Sequence, residues 1–125
     1  MNSNRLTPDA ALAALAALAN EPNGQPFLTL FRHGSLEIEI YKPVGSDQQT
    51  PHTRDEIYVV IAGRGEFLCA GHRRPFVAGD VLFAPAGAVH RFENFSADFS
   101  TWVFFYGPEG GEADLGQDDP EHVTQ

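Results

Sequence analysis

Apolar and polar positions alternate without a break along "SLEIEIYKP". Leu36, Ile38 and Ile40 fall on one side of an extended chain, and Glu37, Glu39 and Tyr41 on the other. A period of two residues marks a half-buried strand. Similar texture begins at Phe27, where Phe27 to Arg32 reads as a strand and His33-Gly34 as its turn. Gly45 to Gln49 is a polar loop. Ile57 to Ala62 is an apolar, β-branched run that stops at Gly63-Arg64-Gly65. Glu66 to Cys69 and Arg73 to Val77 read as a hairpin around Ala70-Gly71. After the Gly79-Asp80 turn come "VLFAP", then "AGAVHRFENF" as a turn and a strand, then "FSTWVFFY". Ahead of the strands the period is helical. Thr7-Pro8-Asp9 supplies a hydroxyl cap, a first-turn proline and an acid near the positive end. Asn20 and Pro22-Asn23-Gly24 end that helix. Leu12, Leu15 and Leu18 lie three apart and make a slanting stripe, expected to pack on the body or on a second copy. Many short strands separated by Gly, Pro and Asp turns, with no helices between them, argue a β-sandwich or small barrel.

Composition adds bounds rather than shape. A chain of 125 residues suggests one domain, and ten Phe in an apolar content of 42% are ample for one core. The net charge is −9, but six of the seventeen acids lie from Glu109 onward, where there is no Lys or Arg. The segment from Gly107 is therefore Gly-rich and acidic, and disorder is expected there. Neither part offers the basic surface that nucleic acids require. No apolar run is long enough for a membrane span. The Ala/Leu run near the start follows Asp9 and a helix start signal, so it reads as a mature helix and not a targeting segment. Cys69 is the single cysteine, which excludes an internal disulfide and fits a reducing cytoplasm, the expected location.

The candidate chemistry lies in two stretches. In "TPHTRDE", His52 precedes Glu56 by four, an even spacing that puts both on one face if both are extended. In "GDVLFAPAGAVHRFEN", Gly79, Pro85, Gly87, His90 and Asn94 are spaced as G-x5-P-x-G-x2-H-x3-N. Gly79 and Gly87 suit positions needing positive φ, and Pro85 stiffens the turn that aims the next strand. This second stretch resembles the second sequence motif of the cupin family. Gly45 to Gly63, with His52 and Glu56, resembles the first, whose ligand core reads H-x-H-x3-E-x6-G. Fifteen residues separate Gly63 from Gly79, a spacing that cupins use for a short hairpin, and the resemblance spans Phe27 to Gly107.

The resemblance implies an all-β fold: a double-stranded β-helix, or jelly-roll barrel, with a short N-terminal α-helix. The expected divisions are 1–26 for helix and linker, 27–107 for the barrel and 108–125 for the tail. His52, Glu56 and His90 would hold one divalent transition metal, Fe, Mn, Ni or Zn, as two imidazoles and a carboxylate. At position 50, where four-ligand cupins carry a further His, this chain has Thr50. Gln49 or Asp47 could supply an oxygen there, or the position stays open to water, substrate or dioxygen. Asp55, next to Glu56, is expected to face outward. Tyr58 shares parity with Glu56, and Phe92 with His90. Trp102, Phe104 and Tyr106 share one face of the last strand, with Val103 and Phe105 on the other, and one of these faces must line the barrel. The pocket-lining set is accordingly read as Thr50, Tyr58, Phe92, Trp102 and Phe104. Surface placement is expected for Arg54, Arg64 and Arg91, although each could receive an anionic substrate at a pocket mouth. His33, His72 and His122 read as polar turn or tail residues, Cys69 as structural and Asn94 as a turn residue. The functions implied are a metalloenzyme acting on a small oxygenated substrate, dioxygenase-like or sugar-isomerase-like, or a non-catalytic small-ligand sensor, metal-free in one version. Expected partners are a small molecule and a second copy in a homodimer, with no nucleic acid and no membrane.

Overall fold

The computed structural model describes residues 4–22 and 24–113. One helix, α1 (Pro8–Ala19), precedes eight strands: β1 (Phe27–His33), β2 (Leu36–Tyr41), β3 (Asp55–Ala62), β4 (Arg64–Cys69), β5 (His72–Val77), β6 (Val81–Ala84), β7 (His90–Glu93) and β8 (Ser100–Tyr106). They form two antiparallel sheets, five strands in the order β1-β2-β8-β3-β6 and three in the order β5-β4-β7. This is a jelly-roll barrel, as the family resemblance implies and within the β-sandwich or small barrel that the turn pattern argues. Among the described residues no helix is long and apolar enough to cross a membrane. Residues 114–125, and with them His122 and most of the expected tail, lie outside the described residues.

The pairing register fixes which side chains face inward. Glu37 opposes Phe105, Phe105 opposes Glu56, and Glu56 opposes Ala84. One step along, Thr29, Glu39, Val103, Tyr58 and Leu82 form the next row. Directly opposed residues share a face, so the acids of β2 point into the barrel. Its apolar set points out, the reverse of a strand that simply buries its apolar side. The inner core gathers Tyr41, Tyr58, Val60, Phe67, Phe76, Phe92, Phe99 and Val103. Phe92 is the hub, with ring centroids 4.7 Å from Phe99 and 4.9 Å from Tyr58.

The outer face of β1 and β2 is covered by α1. Thr7 caps the helix, its hydroxyl accepting the Ala10 amide at 3.3 Å. Ala11 and Leu15, four apart, are buried on Leu30 and Ile40, with Leu12 and Trp102 at the margin. Burying Leu15 contributes about 2 kcal/mol. Leu18, third in the expected stripe, is 41% exposed. The helix therefore docks through its i, i+4 row, and the i, i+3 row runs off the contact.

The segment after β8 departs from the expected disorder as far as residue 113. The Gly110 amide donates to Thr53 O at 2.6 Å, and the Glu112 amide to Asp55 Oδ2 at 2.8 Å. Asp55 also accepts the Ala86 amide at 2.9 Å. It is buried, not outward-facing, and ties the start of β3 to two loops.

Candidate metal centre

Two loops and the strands they lead into converge at one end of the barrel. His52 lies in the loop ahead of β3, Glu56 is the second residue of β3, and His90 opens β7. The Gly87 amide donates to His52 O at 2.7 Å, so the turn before β7 and the loop before β3 hold each other. Gly79 and Gly87 have φ of +92° and +81°, the left-handed values their place in the motif predicts. His52 is not in a strand. It reaches Glu56 through this cross-loop tie, not through strand alternation.

The ligand atoms of His52, Glu56 and His90 lie within 4.8 Å of one another, and no other such group occurs among the described residues. His52 Nδ1 is 2.9 Å and His90 Nε2 2.6 Å from Glu56 Oε1. His90 Nδ1 sits 2.9 Å from Ala88 O. A carbonyl only accepts, so Nδ1 carries the hydrogen and Nε2 presents its lone pair to the site. Despite the short separation, His90 Nε2 makes no hydrogen bond, and neither does Glu56 Oε2; both are buried. Two unpartnered buried polar atoms are costly. Two imidazoles with one carboxylate suit a first-row divalent ion. The donor set fits a metal.

Burial would raise the Glu56 carboxyl, but contacts and charge from His52 and His90 outweigh it and hold the carboxyl below the usual carboxylate range. Burial would lower His90, but Glu56 and the Ala88 carbonyl reverse the sign and raise it. Phe105 packs edge-on against His52 at 5.2 Å and limits how its ring turns.

Asp47 and Gln49 do not join this group. Asp47 accepts four hydrogen bonds: from the Tyr41 hydroxyl at 2.5 Å, the Phe92 amide at 2.8 Å, Gln49 Nε2 at 2.8 Å and the Gln49 amide at 3.1 Å. It staples the loop to β7 from inside. Gln49 accepts the Tyr58 hydroxyl at 3.2 Å through Oε1, so both ends of its amide are engaged. Thr50 lines the cavity beside His52. Tyr58 and Phe92 are fully buried in the core beneath the site, with the Tyr58 ring 6.2 Å from His90. Trp102 and Phe104 are corrected: they lie on the outer face of β8, Trp102 against the helix cluster and Phe104 opposite Ile38 and Ile57. Val103 and Phe105 take the inner positions.

Arg54 is largely buried, donating through Nη1 to Glu37 Oε1 at 3.1 Å and through Nε to Gly107 O at 3.0 Å. Arg64 and Arg91 stay at the surface, and none of the three lines the cavity beside the site. Asn94 adopts φ +51° and donates to Glu66 Oε1 at 2.6 Å, a turn residue as expected. Cys69 faces His90 across the β4–β7 pair, a neighbour the sequence separation hides. Burial and then Glu56 raise its thiol, which keeps it protonated and inert.

Sequence reasoning missed Glu39. It lines the same cavity as His52, its Oε2 accepts the Thr29 hydroxyl at 3.4 Å, and burial followed by the charge of Glu56 pushes its carboxyl to about 7. The signal was the parity of β2, which groups Glu39 with Tyr41.

Known proteins share this architecture. The Cupin domain family pattern matches residues 37–106. An uncharacterized protein of Streptomyces coelicolor is 32% identical over 89 residues, 70% of this chain and 85% of that protein. The dimethylsulfoniopropionate lyase DddQ of Ruegeria pomeroyi is 37% identical over 57 residues, 45% of this chain but only 28% of the lyase. The crystal structure of a cupin 2 conserved barrel domain protein from Salinispora arenicola superposes with a TM-score of 0.59 at 24% identity, over 86% of this chain and 90% of that one. The chain belongs to the cupin family.

Proposed function

We propose that this cupin is a metalloenzyme acting on a small oxygenated substrate, with His52, Glu56 and His90 holding one divalent transition metal. The observation that carries the reading is the pair of buried, unpartnered atoms, Glu56 Oε2 and His90 Nε2, in a site otherwise rich in hydrogen bonds. A bound ion would supply Lewis acidity toward a substrate oxygen or, if it were iron, redox chemistry. The chain's own contribution is placement. Ala88 O fixes the His90 tautomer, Phe105 sets the His52 ring, and Tyr58 with Phe92 closes the floor to water. Asp47 and Gln49 are occupied by structural hydrogen bonds, so the three-ligand set leaves positions for substrate.

Both dioxygenase-like and isomerase-like chemistry are compatible with such a set. DddQ, named as a lyase, lends the redox-neutral, isomerase-like side some support. The second reading, a binding protein without turnover, rests on the absence of a His at position 50. A cytoplasmic homodimer belongs to the same proposal, and the exposed Val81 and Phe83 on the edge strand β6 support the pairing.

The test is cobalt(II) substitution of chelator-treated protein. A visible spectrum of a five- or six-coordinate ion, changing when small oxyanions are added, supports three protein ligands with open positions. Absence of any cobalt spectrum in wild type would remove the enzyme reading.

A further inference from the structure

The cavity that His52 lines, beside the group it forms with Glu56 and His90, holds about 830 Å³. One wall is the inner face of β2 and β8, with Glu39, Tyr41, Val103 and Phe105; the other is the chain around Phe27 and the loop before β3. Its lining contains the Glu39 carboxylate and, among the described residues, no Lys or Arg. Neighbouring cations are engaged elsewhere. Arg54 and Arg32 meet Glu37, Arg73 and Arg91 meet Glu93, and the Lys42 amine donates to the carbonyls of Ala97 and Phe99. His52 is the one lining side chain that can become cationic, and its Nδ1 lies 2.9 Å from Glu56. Tyr41 and Phe105 line the cavity beside Glu39, and aromatic faces attract cations and not anions.

We propose that the cavity recognises its ligand through a cationic head group, an ammonium or a group of like charge, seated against Glu39 beside Tyr41 and Phe105, and that it rejects an anionic head at that end. The inference rests on the reading above, with the metal-holding group meeting the cavity through His52. Ligand selection then has two poles: an oxygen toward His52, Glu56 and His90, and a cation toward Glu39. Burial, followed by the charge of Glu56, pushes the Glu39 carboxyl to about 7, and an arriving cation draws it toward its charged form.

Three probes of one shape separate the charge of the head from its size: benzylammonium, benzyl alcohol and benzoate. Each is titrated into the chelator-treated full chain and followed by amide chemical shifts. Benzylammonium is expected to bind tightest, with shifts at Glu39, Val103 and Phe105, and benzoate at least about tenfold more weakly. Glu39→Gln keeps the shape and is expected to bring benzylammonium down to the affinity of benzyl alcohol. The proposal is overturned if benzoate matches or exceeds benzylammonium, if benzylammonium gives no shifts at saturation, or if its lead survives Glu39→Gln. The wild-type ranking decides by itself should the variant not fold. Chelation separates the two claims: a failed ranking in a chain that takes up metal sinks this inference alone, while an intact ranking without metal uptake sinks the metal-centre reading.

Discussion

Replacing Asp47 by alanine should destabilise the fold severely while leaving the metal ligands in place. The carboxylate is 9% exposed and accepts from the Tyr41 hydroxyl, the Phe92 amide and both nitrogens of Gln49. Alanine removes both acceptor oxygens and with them all four hydrogen bonds. Gln49 can turn to water, but the Tyr41 hydroxyl and the Phe92 N–H stay buried with nothing to donate to. Each orphaned donor costs about 1–3 kcal/mol, so the expected loss is about 2–6 kcal/mol. For a domain of this size that is roughly 10–25 °C in Tm. The assay is urea unfolding of chelator-treated wild type and Asp47→Ala, followed by tyrosine and tryptophan fluorescence. A loss below about 1 kcal/mol would refute the staple. The same variant separates the two roles considered for this residue. If Asp47 were a metal ligand, Asp47→Ala would lower metal stoichiometry and scarcely move the stability of the metal-free chain.

Further outcomes follow from the same geometry. The Glu39 carboxyl, about 7 when folded against 4.5 ordinarily, binds its proton more tightly in the folded state; that stabilisation is complete below about pH 4.5 and is lost as pH rises through about 7. Discounted for partial exposure, Glu39→Gln should therefore gain about 1–2 kcal/mol over wild type at about pH 8 and nothing near pH 4, in metal-free urea titrations; a gain confined to acid pH would contradict the assignment. Gly63→Ala should cost more than Gly79→Ala in thermal unfolding. Both glycines have positive φ, but a Cβ at Gly63 would meet Phe99 Cα at 2.5 Å, whereas Gly79 has open space; equal costs would count against the packing described. Phe105→Ala should weaken metal binding by about tenfold in competition with a chelator, because it frees the His52 ring, while Trp102→Ala leaves it unchanged; an equal effect from both would return Trp102 to the cavity side.

The grouping of His52, Glu56 and His90 was legible in the sequence because they sit at spacings set by short loops and turn glycines. Loop length is local information. The parity of the β-strands was equally legible, but its sign was not. In β2 the apolar set Leu36, Ile38 and Ile40 looked like the inner face, yet α1 covers it from outside, and the inner face carries Glu37, Glu39 and Tyr41. In β8 both faces are aromatic, and the helix alone decides that Trp102 is outside. An outer helix that needs its own apolar face defeats any rule equating apolar with barrel interior. The role of Asp47 was hidden for a different reason: its acceptors serve Tyr41, Gln49 and Phe92, and Phe92 lies forty-five residues away. Asp55 was misjudged outward because the partner that buries it, the segment through Glu112, read as disordered tail.

The central claim is that His52, Glu56 and His90 hold a metal. Metal content by inductively coupled plasma mass spectrometry, on untagged protein purified without chelator, tests it most directly, with wild type measured beside His90→Ala. The account predicts near-stoichiometric iron, manganese, nickel or zinc in wild type and its loss in the variant. Wild-type protein that carries no metal and takes none up when each ion is offered would contradict it.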